Sequence, residues 1–276
     1  MNRFSFILLL SLLHGLHLHS QEVNLSLKLQ KELPGKFNQF RVDELGSVYV
    51  FTSTGQIKKY NANLDSLAVF NDVKRYGQLY SIHAENPLRT ILFFKNFNTV
   101  VLLDRMMQMV QKIDLRKFNL FQVNAIAPSY DNRLWVFDQQ NFKIKKINFD
   151  GSLVFESTDL RLVFDEAIHP FKMIEHQGSL YLLDSLTGVY QFDYYGGFKK
   201  KFSYPHTLDI ESWGNALIGI EKDRIWLKRE NELEAKWADV SRQFFNVKQL
   251  YFSNQIAYSL DDQKISLYSF NFNTRE

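Results

Sequence analysis

Six polar residues, Thr52, Lys95, Asp138, Asp184, Glu221 and Asp261, recur at intervals of about forty residues, each closing a short apolar run. Four are carboxylates. Residues repeated in one frame fall at one end of a repeated structure, so the set forms an acidic ring broken by Lys95. Such a ring can contact a ligand or a cation. It can equally be a set of turn-closing side chains that accept hydrogen bonds from backbone N–H groups, which explains why Asp recurs at the same place. Among aromatic residues, Trp213 in Glu211-Ser-Trp-Gly214 falls at a turn and is the best contact candidate. Lys95, Asp138, Asp184, Trp213, Glu221 and Asp261 are the candidate binding residues of one face.

Catalytic chemistry has fewer supports. His83, His169, His176 and His206 follow residue 20, none at metal-ligand or nucleophile–base spacing from another histidine or carboxylate. His83, in Ser81-Ile-His-Ala-Glu85, can face the channel and act as a base, but a partly buried, hydrogen-bonded structural histidine is the better reading. Gly-x-Ser-x-Gly, P-loop and His-Glu-x-x-His patterns are absent. There is no cysteine, which excludes thiol chemistry and a lipid-modified N-terminal Cys. A net charge of +3 on 276 residues is no footprint for nucleic acid. The pairs Lys58-Lys59 and Lys145-Lys146 and the run Lys199–Lys201 fall in equivalent parts of different repeats, which predicts a solvated rim.

The elements that must position these residues are short strands. Ile57-Lys-Lys-Tyr-Asn61, Val100-Val-Leu-Leu-Asp104, Ile144-Lys-Lys-Ile-Asn148, Val189-Tyr-Gln-Phe-Asp193, Ile225-Trp-Leu-Lys-Arg229 and Ile265-Ser-Leu-Tyr-Ser269 share one frame. Before each comes an almost continuous apolar run, such as Leu134-Trp-Val-Phe-Asp138, and such runs are buried on both faces. A period of about forty built from short strands predicts an all-β, six-bladed β-propeller. Leu102 to Phe118 carries helical spacing, but the repeat frame makes it two strands joined near Asp104-Arg105. The last unit shows only three strands. The alternation Leu25, Leu27, Leu29 within residues 24–33 supplies the fourth and closes the ring.

Residues 1–20 read as a secretory signal peptide, with Arg3, an apolar run from Phe4 to Leu13 and a small residue at Ser20. The run is shorter than the ~20 residues that span a bilayer, and no later stretch reaches that length, so no transmembrane segment is expected after cleavage. Residues 21–276 form one propeller domain. The Phe, Asn, Lys and Tyr bias and the Ser20/Gln21 junction resemble exported proteins of the Gram-negative bacterial envelope, periplasmic or associated with the outer membrane.

The units Asp131-Asn-Arg-Leu-Trp-Val-Phe-Asp138 with Asp150-Gly151, and Gly178-Ser-Leu-Tyr-Leu-Leu-Asp184 with Gly196-Gly197, resemble NHL-type propeller repeats. That resemblance implies binding of proteins or other ligands at one face, with a minority of enzymes. Propeller lactonases of the gluconolactonase and regucalcin family hold a divalent cation in the central channel. Here the inner strands offer Asp43, Glu44, Glu85, Asn124, Glu175, Asp209 and Glu211 as oxygen donors. The Glu-Gly-Pro and Pro-Asn-Gly stretches of those enzymes are missing. The reading is therefore a non-catalytic binding or assembly module with no cofactor. Its partner is an envelope protein or another extracytoplasmic ligand, docked on the loop-rich face. The alternative is a metal-dependent hydrolase or lactonase working in the channel.

Overall fold

The computed structural model describes residues 23–274 except 165, 231, 241, 243 and 245; the expected signal peptide, residues 1–20, lies outside them. Six four-stranded antiparallel sheets form the blades of a β-propeller. The first strand of each blade lines the central channel. In order these are Phe37–Val42, Ser81–His83, Val123–Pro128, Lys172–His176, Asp209–Trp213 and Gln249–Ser253. The side where first strands turn into second strands is called the turn face below. The opposite side, with the second-to-third-strand connections and the links between blades, is the loop face.

Burial on both sides explains the continuous apolar runs. In the second strand of blade 3, Leu134–Asp138, every residue is buried. Leu134 and Val136 pack on Ile91, Phe93 and Val100 of blade 2. Trp135 and Phe137 pack on Met173, Leu180 and Tyr190 of blade 4. Successive side chains of a strand point to opposite faces, so one run supplies two seams.

The ring closes as the sequence predicts. Val23–Pro34 pairs antiparallel with Lys264–Thr274, from Val23 opposite Thr274 to Pro34 opposite Lys264. A slip in register between Leu29 and Lys31 marks a bulge. A one-residue slip flips the side chains that follow to the other face. Leu25 accordingly packs in the seam between blades 5 and 6, and Leu33 in the seam between blades 6 and 1. Leu29, next to the bulge, is 50% exposed. Gln249 reinforces the closure: its amide accepts from Phe40 N at 3.0 Å and donates to Phe40 O at 3.0 Å.

Residues 102–118 are strands, despite their helical spacing. Thr99–Asp104 and Met109–Asp114 are joined by a turn in which Asp104 Oδ1 accepts from Met106 N and Gln108 N. Met107 is buried while Met106 and Val110 are exposed, so the apolar residues do not share one face. The same turn chemistry recurs where Asn61 Oδ1 takes Asn63 N and Asp65 N, and Asp193 Oδ1 takes Tyr195 N and Gly197 N.

The expected lysine rim holds only in part. Lys199–Lys201 are exposed on the outer strand Phe198–Phe202. Lys59, Lys145 and Lys146 are buried instead. They lie on third strands, which have a neighbouring blade on one side and another on the other, so two consecutive lysines cannot both reach solvent. Lys146 Nζ sits 4.1 Å from the Trp135 ring centroid, 3.5 Å from that of Tyr194 and 3.3 Å from Asp131 Oδ2.

Candidate functional site

The channel is closed near its middle by charge. Lys172 Nζ lies 2.5 Å from Asp209 Oδ1 and 2.7 Å from Glu211 Oε1, and Arg41 Nη1 is 4.0 Å from the same Glu211 oxygen. These four residues come from the inner strands of blades 1, 4 and 5. Burial opposes charge on Arg41, and Glu211 and Asp209 outweigh it, so its pKa is raised. Burial pushes the Glu211 carboxyl up, with Lys172 and Arg41 pulling the other way. Two cations facing two carboxylates leave the septum neutral, which is how buried charge is tolerated.

His83 stands beside this septum. Its Nε2 is 3.0 Å from Ser81 Oγ, and its Nδ1 is 4.0 Å from Glu85 Oε1. Serine, histidine and glutamate at alternate positions along one chain segment therefore face the channel together. Burial, with the nearby Arg41 and Lys172, drives the imidazole pKa down to about 3. A base that weak is mismatched to proton abstraction near neutral pH. Glu85 is displaced the other way, raised chiefly by burial and also by Glu44.

A cavity opens on each side. On the turn face it measures about 540 Å³ and is walled by Pro87, Leu88, Pro128, Tyr130 and Ile174 with Glu44 and Glu85. On the loop face it measures about 290 Å³, between Tyr80, Phe171, Lys172 and Asp209. Both reach His83 and Met173.

The residues closing the second strands sit on the loop face. Asp138 is fully buried, holding Asn141 Nδ2 at 2.8 Å and Lys145 Nζ at 2.8 Å. Asp184 accepts from Leu186 N at 2.9 Å and from His169 N at 2.8 Å. Asp261 accepts from Gln263 N and Lys264 N, and Thr52 Oγ1 from Gln56 N. Glu221 Oε2 takes Arg224 Nε at 2.7 Å, while its other oxygen is buried without a hydrogen-bond partner. Lys95 caps this row differently, its ammonium 4.9 Å over the Tyr80 ring. Trp213 does not belong to that face. It ends a first strand rather than a second, so it lies on the turn face, where Nε1 donates to Asn254 O and the ring packs against Phe270 and Phe272.

The seven oxygen donors considered for a cation are mostly engaged. Asp43 accepts from Leu45 N, Ser47 N and Tyr49 Oη. Glu175 accepts from Ser129 Oγ, Tyr130 N and Trp135 Nε1. Asn124 donates to Gln139 Oε1, and Asp209 and Glu211 face Lys172. Among the described residues no three of His, Cys, Asp and Glu cluster closely enough to hold a metal ion. The Lys172 ammonium already occupies the point where Asp209 and Glu211 converge.

Sequence reasoning missed Arg41 and Lys172, which define the septum. Both stand at positions that recur in the blades, but the residue type does not recur there, and the only available signal is that each is a cation on an inner strand.

No model of a known protein family matches the chain, and no curated protein matches it. Solved structures do match. A catalytically inactive virginiamycin B lyase from Staphylococcus aureus, with Quinupristin, superposes with a TM-score of 0.59 at 13% identity, covering 90% of this chain and 99% of the other. PorZ of Porphyromonas gingivalis, an essential bacterial surface component of the type-IX secretion system, gives 0.58 at 11% identity over 87% of this chain. This chain spans 32% of PorZ. The Pan2 WD40 domain of Neurospora crassa gives 0.54 at 11% identity, covering 85% and 89%. At such identities the likeness is one of fold, and the fold is shared by a lyase and by a component of a secretion system.

Proposed function

We propose that this protein is an exported, non-catalytic propeller that docks a protein partner of the cell envelope. The blades are read as NHL-like, on the repeat residues alone. The observation that carries the docking reading is the wide turn-face mouth. Its cavity of about 540 Å³ is lined by Leu88 and Tyr130, which are 67% and 75% exposed and come from two successive blades. Exposed apolar side chains gathered around a concavity on a rigid scaffold are the usual form of a docking site. The docking surface is thus placed opposite the loop face that the repeated carboxylates suggested. The aspartates among those carboxylates, Asp138, Asp184 and Asp261, are bound to their own turns. The channel argues in the same direction, since its cations and carboxylates neutralise one another and His83 is a poor base at neutral pH. Export rests on the leader-like residues 1–20. Among the described residues no helix is long and apolar enough to cross a membrane. PorZ, a surface component with a propeller of this kind, is a precedent for the location.

The test is site-specific photo-crosslinking in intact cells, with the photoreactive residue placed at Leu88 or, as a control, at Lys200 on the outer rim. A discrete adduct at Leu88 and none at Lys200 is the expected result. Equal labelling at both positions, or none at Leu88, overturns the reading.

A further inference from the structure

We infer that the turn-face mouth receives a basic side chain, lysine or arginine, flanked by apolar residues on a protein segment. This inference rests on the docking reading and names the chemistry of the partner. The chain as a whole carries a net positive charge, but the mouth does not. Glu44 is exposed there, and its carboxylate has no hydrogen-bond or ion-pair partner among the described residues. Glu85 has 46% of its side chain open to the cavity, and its nearest charged candidate, His83, is neutral at physiological pH. Glu175 is bound by neutral donors only in its short contacts. Arg89, the one guanidinium of the wall, is turned to Asn132 Oδ1 at 2.5 Å and to the Phe149 ring at 4.4 Å from its centroid. Arg41 and Lys172 are committed to Glu211 and Asp209 below the cavity floor.

The wall between these carboxylates is apolar, formed by Pro87, Leu88, Pro128 and Ile174. A cation entering such a wall meets carboxylates without displacing an existing ion pair, in surroundings where charge interactions exceed those in water. An incoming cation favours the ionised form of Glu85 and so offsets the desolvation that raises it, in the same sense as the more distant Arg41 and Lys172. Two sources supply such a cation, a small polyamine or a protein side chain. The apolar border selects the second. Leu88 and Tyr130 line the cavity, stand 67% and 75% exposed, and are covered only by something larger than its contents.

The experiment is panning of a random peptide library on the purified chain, followed by affinity measurements on Glu44→Gln/Glu85→Gln and Leu88→Arg variants whose melting matches the parent. Enriched peptides should carry Lys or Arg beside apolar residues. Their affinity should fall about tenfold in the double variant and weaken in high salt, the scale of losing one partly desolvated charge contact. Peptides without a basic residue that bind the parent and are blocked by Leu88→Arg would overturn the charge inference and leave the docking mouth standing. Peptides indifferent to both variants, or no enrichment, overturn both. Spermidine binding as tightly as the peptides, and lost in the same double variant, overturns the choice of a protein segment.

Discussion

The loop face and the channel both carry charge around the ring, and they hold it by different means. On the loop face each aspartate closes its own turn: Asp184 binds Leu186 N two residues on, and Asp261 binds Gln263 N and Lys264 N. The aspartate units satisfy themselves, so the residue repeats with the blade; Glu221, paired with the Arg224 side chain and with one buried oxygen lacking a partner, is the exception. In the channel nothing satisfies itself. Lys172 needs Asp209 and Glu211 from the next blade, and Glu211 approaches Arg41 from blade 1. The positions recur, since Lys172 and Asp209 share one register place and Arg41 and Glu211 another, but the residue types do not, because the inner strands converge and a cation of one blade must meet a carboxylate of another. Repetition therefore marks local chemistry, and departure from it marks what is built jointly.

The sharpest way to break this contrast is Lys172→Met. It leaves Asp209 and Glu211 without their shared ammonium in a desolvated channel and should cost about 3–5 kcal/mol in urea unfolding. A loss no larger than that of a surface substitution would mean the septum is not a buried network.

The next effect is in pH. His83 has a folded pKa of about 3, below the 6.5 of an unfolded histidine. The unfolded chain thus binds a proton that the folded chain refuses, and stability falls as pH drops from about 6.5 toward about 3. Glu85 and Glu211, raised by burial, act in the opposite sense. His83→Gln should remove only the histidine share and flatten the decline, measured by thermal melts across that window. An unchanged slope would show that the imidazole is not held neutral by its surroundings.

The smallest effect belongs to the loop face. Asp261→Ala removes the carboxylate that accepts from two backbone N–H groups at a half-buried turn and should cost about 1 kcal/mol. Since its partners are local, combining it with Lys172→Met should be additive within about 0.5 kcal/mol, as distant sites are. Strong coupling between the two would mean that the rings are not independent.

The fold was legible because its signals are local and repeated six times. The burial of both faces of Leu134–Asp138, the turn residues Asn61, Asp104 and Asp193, and the closing strand at Leu25 follow from period-two patterning and turn chemistry. The repeat also overrode the helical spacing of 102–118. The candidate site was only half legible. His83 and the oxygen donors could be placed on inner strands, but their charge partners could not. Trp213 was grouped with residues of the opposite face because composition does not say which end of a strand a turn occupies. Lys59 and Lys146 read as rim residues until neighbouring blades covered them. The amino-acid sequence by itself determined the strands, their turns and the number of blades, since backbone hydrogen bonding and side-chain alternation act within a few residues. Only the tertiary structure decided which charges meet in the channel and which mouth stays open, because those energies depend on distances between blades that no local pattern encodes.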